Sequence, residues 1–361
     1  MKKYDFYYEF SGTHYELGLA HGKALAPLIH SAIAKWKVFL SEGTGMSFED
    51  LLSRFLRDTD YRSAIEKWTP HLLDELRGIS VGADIDEELI YAWQLVDEVI
   101  DYVVEYIYIE KCSTVGGYDQ GVERAKVLGK TQDLPHCYIG AAVLLRTHNT
   151  ETGRDIMNST VAGIITQDGM SRNLGVCLNH IGQLDRSAEG LPVTFIARLL
   201  MEQCDSVDAA RVMLGSINHA SGMNYGLIDK KEVRTFEVSS NDIAEFLPAP
   251  NLKRIWHTNH PLANTNYCRA ITMWNGLPDI EAGNTVTRMN YLDREMAVAD
   301  KPITVARAQE LLSSREAPIS SQAEDEFPTV NSMVMEFTDV PKLYFAPGPP
   351  SQVDYVGFTF D

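Results

Sequence analysis

Cys112 stands in the stretch EKCSTV, followed at once by two small hydroxyl residues. A cysteine thiolate attacks carbonyl carbon readily, which makes the residue a candidate nucleophile for acyl transfer. The plain reading beside it is a small buried hydrophobe, the commonest use of a lone cysteine. Cys137, Cys177, Cys204 and Cys268 fall inside apolar or helical patterns such as VCLN and MEQC and read as packing residues. His257 and His260, in WHTNH, have the H-x-x-H spacing of metal ligands. On a strand, however, an odd separation turns the two rings to opposite faces. Neither an HExxH motif nor a cysteine pair at zinc spacing accompanies them.

Two polar stretches add candidates. GKTQDLP puts Lys130 and Asp133 three residues apart just after a strand, where the plain reading is a polar β-turn before Pro135. GIITQDGMSRNLGVCLNHIG reads as a hairpin with Asp168, Gly169, Ser171, Arg172 and Asn173 in its turn and a following strand that ends at Asn179. Asparagine in such places most often bonds its own backbone. No G-x-S-x-G, phosphate-binding or dinucleotide-binding motif occurs, so serine-hydrolase, nucleotidase and dehydrogenase chemistry has no support.

The residues that must position these groups number 361, at 45% hydrophobic and 23% charged, enough for one large domain or two modest ones. Lysine and arginine total 32 against 50 acidic residues, a net charge of −18. That balance disfavours a nucleic-acid groove, which needs concentrated positive charge. The opening MKKYDFYYEFSGTHYELG lacks the apolar core of a signal peptide, and no run of eighteen apolar residues suggests a membrane span. Five cysteines, an odd number, point to thiols in a reducing compartment, and the expected location is cytoplasmic.

The local pattern changes near residue 111. Over 15–107 the apolar residues Leu17, Ala20, Leu25, Leu28, Ile29, Ile33 and Trp36 recur every three to four positions, and LLDELRGI and EELIYAWQLVDEVIDYVVEYI continue the spacing. Three or four helices are expected there. Beyond Lys111 come short strand-like stretches: ERAKVLGKT, AAVLLRTH, RDIMNSTVA, LGVCLNHI, MNYGLID, VRTFEVS and RIWHTNH. Helical patterns interrupt them at LPVTFIARLLMEQ and SVDAARVMLGSI, the second with Asp205 and Ser206 as cap candidates. A further helix is expected from Ile303 to Ser313, then strands at NSMVMEF and KLYFAPG, while SSREAPISSQAEDEF reads as a flexible surface segment. Runs of strands broken by grouped helices indicate an α+β sandwich, not a repeating βαβ sheet.

Taken in order, GTHYELGLAHG at 12–22, WTPHLLDELRGISVGADID at 68–86, Cys-Ser-Thr at 112–114 and GKTQD at 129–133 form a recognisable series. It continues through AGIITQDGMSRNLGVCLNHI at 162–181, GLPVTFIARLLMEQCDSVDAA at 190–210 and HTNH at 257–260. This series resembles the acyl-coenzyme A:6-aminopenicillanic acid acyltransferase family, peptidase family C45 of the N-terminal nucleophile hydrolases. The resemblance covers roughly residues 8 to 265, fades after them, and rests on collinear order more than on any single motif.

The resemblance implies an αββα sandwich of two stacked, largely antiparallel sheets covered by helices. It also implies a precursor that cuts itself between Lys111 and Cys112, leaving 1–111 as a helical α-fragment and 112–361 as the catalytic β-fragment of one domain. Cys112 would then carry a free α-amine, with a pKa near roughly 8, that serves as its own base. By motif position, Asp133 corresponds to the aspartate that orients that amine. Lys130 takes the place of an arginine in related bile-salt hydrolases, where a positive charge favours the thiolate. Asn179 and Asn259 match the oxyanion-hole amides.

Three positions depart from the family's pattern. Lys111 stands where glycine is usual, Ser171 replaces an asparagine, and the arginine that penicillin acyltransferase carries late in its chain has no clear match. APISSQ aligns there, and nearby Arg315 does not inherit the role. The resemblance implies an amidohydrolase or acyltransferase acting on a small N-acyl amide or acyl thioester, acyl-coenzyme A among the candidates, through a Cys112 acyl-enzyme. No cofactor, metal, nucleic acid or membrane partner is called for, and self-association of identical copies is compatible with it. Two other readings stand beside it: a binding protein that has lost catalysis, and a metal-dependent hydrolase using His257 and His260.

Overall fold

The computed structural model describes residues 4–103, 112–118, 125–268, 284–298, 300–325 and 327–361. Strand β1 (Tyr7–Gly12) leads into helix α1 (His14–Thr44) through a capping box. Thr13 Oγ1 accepts from the Glu16 amide, and the Glu16 carboxylate accepts from the Thr13 amide. Leu17, Leu25, Ile29, Ile33 and Trp36 all point inward from one stripe of α1. Helices α2 (Phe48–Asp58), α3 (Tyr61–Trp68), α4 (Pro70–Ala83), α5 (Glu87–Trp93) and α6 (Val96–Tyr102) follow.

Helices α1 and α4 meet backbone to backbone. A Cβ on Gly18 would lie 1.9 Å from the carbonyl oxygen of Glu75, and one on Gly78 would lie 2.3 Å from that of Tyr15. Gly22 and Gly82 repeat the approach one turn further on. Any larger residue at this crossing would force the helices apart, because a packed core has no slack to absorb it.

After α6 come β2 (Cys112–Tyr118), β3 (Lys126–Asp133), β4 (Ala142–Asn149), β5 (Asp155–Val161), β6 (Asp168–Ser171) and β7 (Gly175–His180). Helices α7 (Val193–Gln203) and α8 (Val207–Leu214) precede β8 (Met223–Ile228), β9 (Val233–Val238), β10 (Ile243–Glu245) and β11 (Ile255–His257). The chain continues with α9 (Thr285–Met296), α10 (Val305–Leu312), β12 (Thr329–Phe337), β13 (Lys342–Ala346) and β14 (Val356–Thr359).

These strands form two sheets, ordered β1-β4-β5-β6-β7-β8-β9-β10 and β11-β2-β3-β12-β13-β14. Every pairing is antiparallel except β1 with β4. Leu128, Leu144, Met157, Met170, Cys177, Ile228 and Phe345 fill the space between the sheets. Because side chains alternate, Leu178 and Tyr225 of the larger sheet point the other way, into a core with Trp36, Trp93 and Phe195 of the helices. Helices α9 and α10 cover the smaller sheet through Leu292, Leu311 and Leu312 against Val115, Val127 and Val334. The α+β αββα layering implied by the resemblance is therefore present.

Several local expectations are corrected. Six helices, not three or four, occupy 14–102 among the described residues. Lys130 and Asp133 lie within the buried strand β3 and not in a turn. Asp168, Gly169 and Ser171 belong to β6, which leaves Arg172 and Asn173 as the reversal. The segment 313–327 is tied down by Ala317, Ile319, Ser320 and Ser321, all buried, so it is no loose surface loop; Glu326 lies outside the described residues. Expectations for 104–111, including Lys111, and for Glu123 and Arg124 at the start of ERAKVLGKT, also lie outside them. Ser206 caps α8 as expected, accepting from the Ala209 amide. Among the described residues no helix is long and apolar enough to cross a membrane.

Candidate active site

Cys112 is the first residue of β2, which is hydrogen-bonded on one side to β3 and on the other to β11. Thr114 lies opposite Lys130 of β3 and opposite His257 of β11. Continuing those antiparallel registers brings Asn259, two residues beyond His257, level with Cys112. The Cys112 amide donates to Asn259 Oδ1 at 2.6 Å, and the Asn259 Nδ2 donates to the carbonyl of His180 at 2.9 Å. Thr285 holds the loop from below by accepting from the Asn259 amide at 2.9 Å.

A residue that sequence reasoning missed completes this clamp. Arg288, fully buried on α9, donates through Nη1 to the Cys112 carbonyl at 2.5 Å and to Ser113 Oγ at 3.0 Å. Its Nη2 donates to Asn259 Oδ1 at 2.9 Å, and its Nε donates to Asn284 Oδ1 at 2.8 Å. The guanidinium thus grips Cys112 and Asn259 together, a use of its rigid fork that lysine could not copy. The available signal was the helical spacing of Met289, Leu292 and Met296 around it.

Asp168 lies in strand β6 and not in the expected turn. It is buried and forms an ion pair with buried Lys130, whose Nζ lies 2.9 and 3.0 Å from the two carboxylate oxygens. One of these oxygens also accepts from the Leu178 amide at 2.7 Å. Burial opposes the charge on Lys130, but Asp168 more than offsets it and holds the ammonium above the usual lysine range. Asp133 is buried beside them and accepts from Thr329 Oγ1 at 2.5 Å.

Burial pushes the Cys112 thiol up to about 11. Lys130 and the Asp133 amide pull the other way, while the Asp133 and Asp168 carboxylates add to the rise. The expected thiolate-favouring cation is present, yet desolvation outweighs it. At neutral pH the resting sulfur is therefore a thiol, and attack requires a base.

Cys112, Lys130, Asp133 and Asn259 share one cavity of about 60 Å³. Leu134, Tyr138, Leu178 and Met223 give it an apolar wall, and Asp97, Gln167, His180 and Thr194 give it polar groups. Asn179 is not on that wall. Its side chain turns into the space between the sheets, where Oδ1 accepts from Thr114 Oγ1 at 2.8 Å and from Asn224 Nδ2 at 2.9 Å. Its buried Nδ2 has no hydrogen-bond partner among the described residues.

His257 and His260 do not converge on a metal site. Both nitrogens of His257 already have protein partners, Nδ1 the Thr258 carbonyl and Nε2 the Glu237 carboxylate. His260 contacts Thr285 Oγ1 and Thr258 Oγ1 instead. The one group of three possible ligands within reach of a common ion among the described residues is His14, His71 and Glu202, on the outer helices. Arg198 and Glu75 already satisfy that cluster: Arg198 bonds both Glu75 and Glu202, and Glu75 bonds His14.

The layer order and a candidate nucleophile at the end of a central strand define the class, an αββα sandwich with its cavity beside that strand end. Residues 124–346 match the family described as acyl-coenzyme A:6-aminopenicillanic acid acyl-transferase, and the chain belongs to that family. The matched stretch includes Lys130, Asp133, Asn259 and Arg288 and begins beyond Cys112. No curated protein matches the sequence. Among solved structures the chain is similar to the Caenorhabditis elegans N-acylethanolamine-hydrolyzing acid amidase ortholog, at 13% identity and a TM-score of 0.43, over 62% of this chain and 92% of that one.

Proposed function

We propose that the protein is an N-terminal-cysteine amidohydrolase or acyltransferase that cuts itself between Lys111 and Cys112 and then works through a Cys112 acyl-enzyme. The observation that carries this reading is the clamp on Cys112: its amide on Asn259, its carbonyl on Arg288, its thiol in a cavity shared with Lys130 and Asp133. Any buried residue needs its backbone amide and carbonyl paired, but packing alone does not call for a buried arginine and an asparagine side chain as those partners, or for Lys130 and Asp133 in the same cavity.

In the proposed cycle the α-amine of Cys112, oriented by Asp133, takes the thiol proton. The thiolate adds to the substrate carbonyl. The amine or thiol leaving group departs with that proton, and an acyl-Cys112 thioester remains. Water or an acceptor amine then adds to the thioester carbonyl, the C–S bond breaks to release the acid or the new amide, and the nucleophile's proton returns through the α-amine to the sulfur. A thiol at about 11 is protonated at rest, so the amine must take its proton before the sulfur can add. Asn259 supplies an amide donor to the oxyanion, and Asn179 supports the site through Thr114. Lys130, neutralised by Asp168, stabilises the thiolate as it forms.

The substrate in this reading is a small N-acyl amide or acyl thioester, acyl-coenzyme A included. Residues 1–111 and 112–361 are the two fragments of one domain, self-association is compatible with it, and the five buried cysteine thiols suit a reducing cytoplasmic setting.

Denaturing intact-mass measurement tests the proposal, with wild type run beside Cys112→Ala. Two fragments divided at 111/112 in wild type alone support it, as does an acyl adduct of the 112–361 fragment. A single uncut chain in both, with no adduct from a reactive amide, would replace it with the binding-protein reading.

A further inference from the structure

We infer that the Cys112 cavity recognises a substrate carrying a protonated amine, held by Asp97, Gln167 and Thr194. The inference deepens the proposed function and rests on it for the site of reaction.

Asp97 sits on α6 and lines the cavity next to the candidate nucleophile. Of the other charged groups nearby, Lys130 pairs with Asp168, His180 and Arg186 pair with Asp101, and Asp133 accepts from the Thr329 hydroxyl. Asp97 makes neither an ion pair nor a side-chain hydrogen bond among the described residues, while its neighbour Glu98 accepts from the Val193 amide. A carboxylate left without a counter-charge in so enclosed a place is costly unless a ligand supplies one.

Two further groups aim into the same cavity. Gln167 is 5% exposed and Thr194 1%, and Gln167 Oε1 and Thr194 Oγ1 have no hydrogen-bond partner among the described residues. Buried polar atoms are almost always satisfied, so a pair of orphans in a cavity wall marks where a ligand's donors belong. A carboxylate, an amide oxygen and a hydroxyl oxygen offer three acceptors, and an alkylammonium offers three N–H donors. A neutral acyl chain would leave all three unmatched. Burial, together with the charges of Asp101 and Asp168, raises the Asp97 pKa against the pull of His180 and Lys130. A bound ammonium would reverse that rise.

The amine could belong to the acyl group or to the leaving group, and isosteric pairs separate the two. On the acyl side, glycyl, 3-aminopropanoyl and 4-aminobutanoyl anilides are compared with propanoyl, butanoyl and pentanoyl anilides. On the leaving side, the pentanoyl amide of 1,3-diaminopropane is compared with that of butylamine. In one of these arms wild type should prefer the amine-bearing member by about 10- to 100-fold in kcat/KM, the usual worth of hydrogen bonds to a charged group. Asp97→Asn should bring that ratio towards one, and Asp97→Glu should keep part of it. Equal use of both members in every arm, or a ratio unmoved by Asp97→Asn, overturns the inference.

Calorimetric titration of wild type and Asp97→Asn with 3-aminopropanamide, butanamide and propane-1,3-diamine gives a second readout that needs no turnover. If no anilide or amide is cleaved and no Cys112 adduct forms, the acyl-enzyme reading falls, while the titration still decides the amine site. Tighter binding of either amine than of butanamide, lost in Asp97→Asn, supports the site; its absence overturns it.

Discussion

Arg288 Nη2 and the Cys112 amide donate to the same oxygen, Asn259 Oδ1, while Arg288 Nη1 donates to the Cys112 carbonyl. One guanidinium therefore fixes the backbone on both sides of the candidate nucleophile. Arg288→Lys keeps the charge but cannot make both contacts. It should lower kcat/KM on a cleavable amide by about 10²-fold, the scale seen when a preorganised donor is lost. Steady-state kinetics beside a urea melt checks this, because a purely structural role would move the midpoint and leave kcat intact.

Lys130 and Asp168 neutralise one another in a place with almost no solvent. Asp168→Leu strands the ammonium and should cost about 3–5 kcal/mol of stability. Lys130→Met combined with Asp168→Leu removes both charges and should regain most of that loss. Guanidinium unfolding of the two single variants and the double variant completes the cycle.

Alkylation of Cys112 by iodoacetamide should keep accelerating with pH through 9 and 10, with no plateau at the value of an ordinary thiol near about 8.5. The cause is the buried sulfur, pushed up to about 11. Rates followed by mass spectrometry against a free cysteine peptide measure the difference.

His21 is held near about 4, chiefly by burial, and its Nε2 accepts from the Gly163 amide, a bond only the neutral ring can make. Burial likewise lowers His219 and His260 to about 4. Each has its folded pKa below the unfolded value, so the unfolded chain binds more protons between them. Stability is thus fully present above about 6.5 and falls as pH drops towards 4. Melts across that window should show the loss, and His21→Gln should make it shallower.

The α1–α4 crossing tolerates no side chain at Gly18 or Gly78. Gly18→Ala should destabilise by about 3 kcal/mol or more, although alanine is the better helix former on exposed positions. Denaturant titration decides between those opposing effects.

Much of the architecture could be read from residue order. The apolar stripe of α1, and the alternating stretches of β4, β5 and β7, obey their local periods without competition from tertiary structure. Cys112, Lys130, Asp133 and Asn259 were found by motif order, and they share one cavity. What escaped notice broke a local rule for a long-range reason. The Asp-Gly that opens β6 has turn chemistry, and Lys130, far away in sequence, together with the Leu178 amide lets Asp168 sit in a strand. Arg288 has a side chain that belongs on surfaces by type, and its partners are 176 residues distant at Cys112 and 29 at Asn259. Asp97 carries no sequence signal that separates it from the other acids of the early helices.

Strand β1 lies before the proposed scission point, yet it is zipped along its full length to β4, from Tyr7 opposite Leu144 to Gly12 opposite Asn149. Helices α1 to α6 share their core with strands from beyond that point. Severing the chain ahead of Cys112 would therefore release nothing. The nicked protein would migrate on a sizing column as an intact one does, its covalent history hidden until a denaturant separates the two pieces.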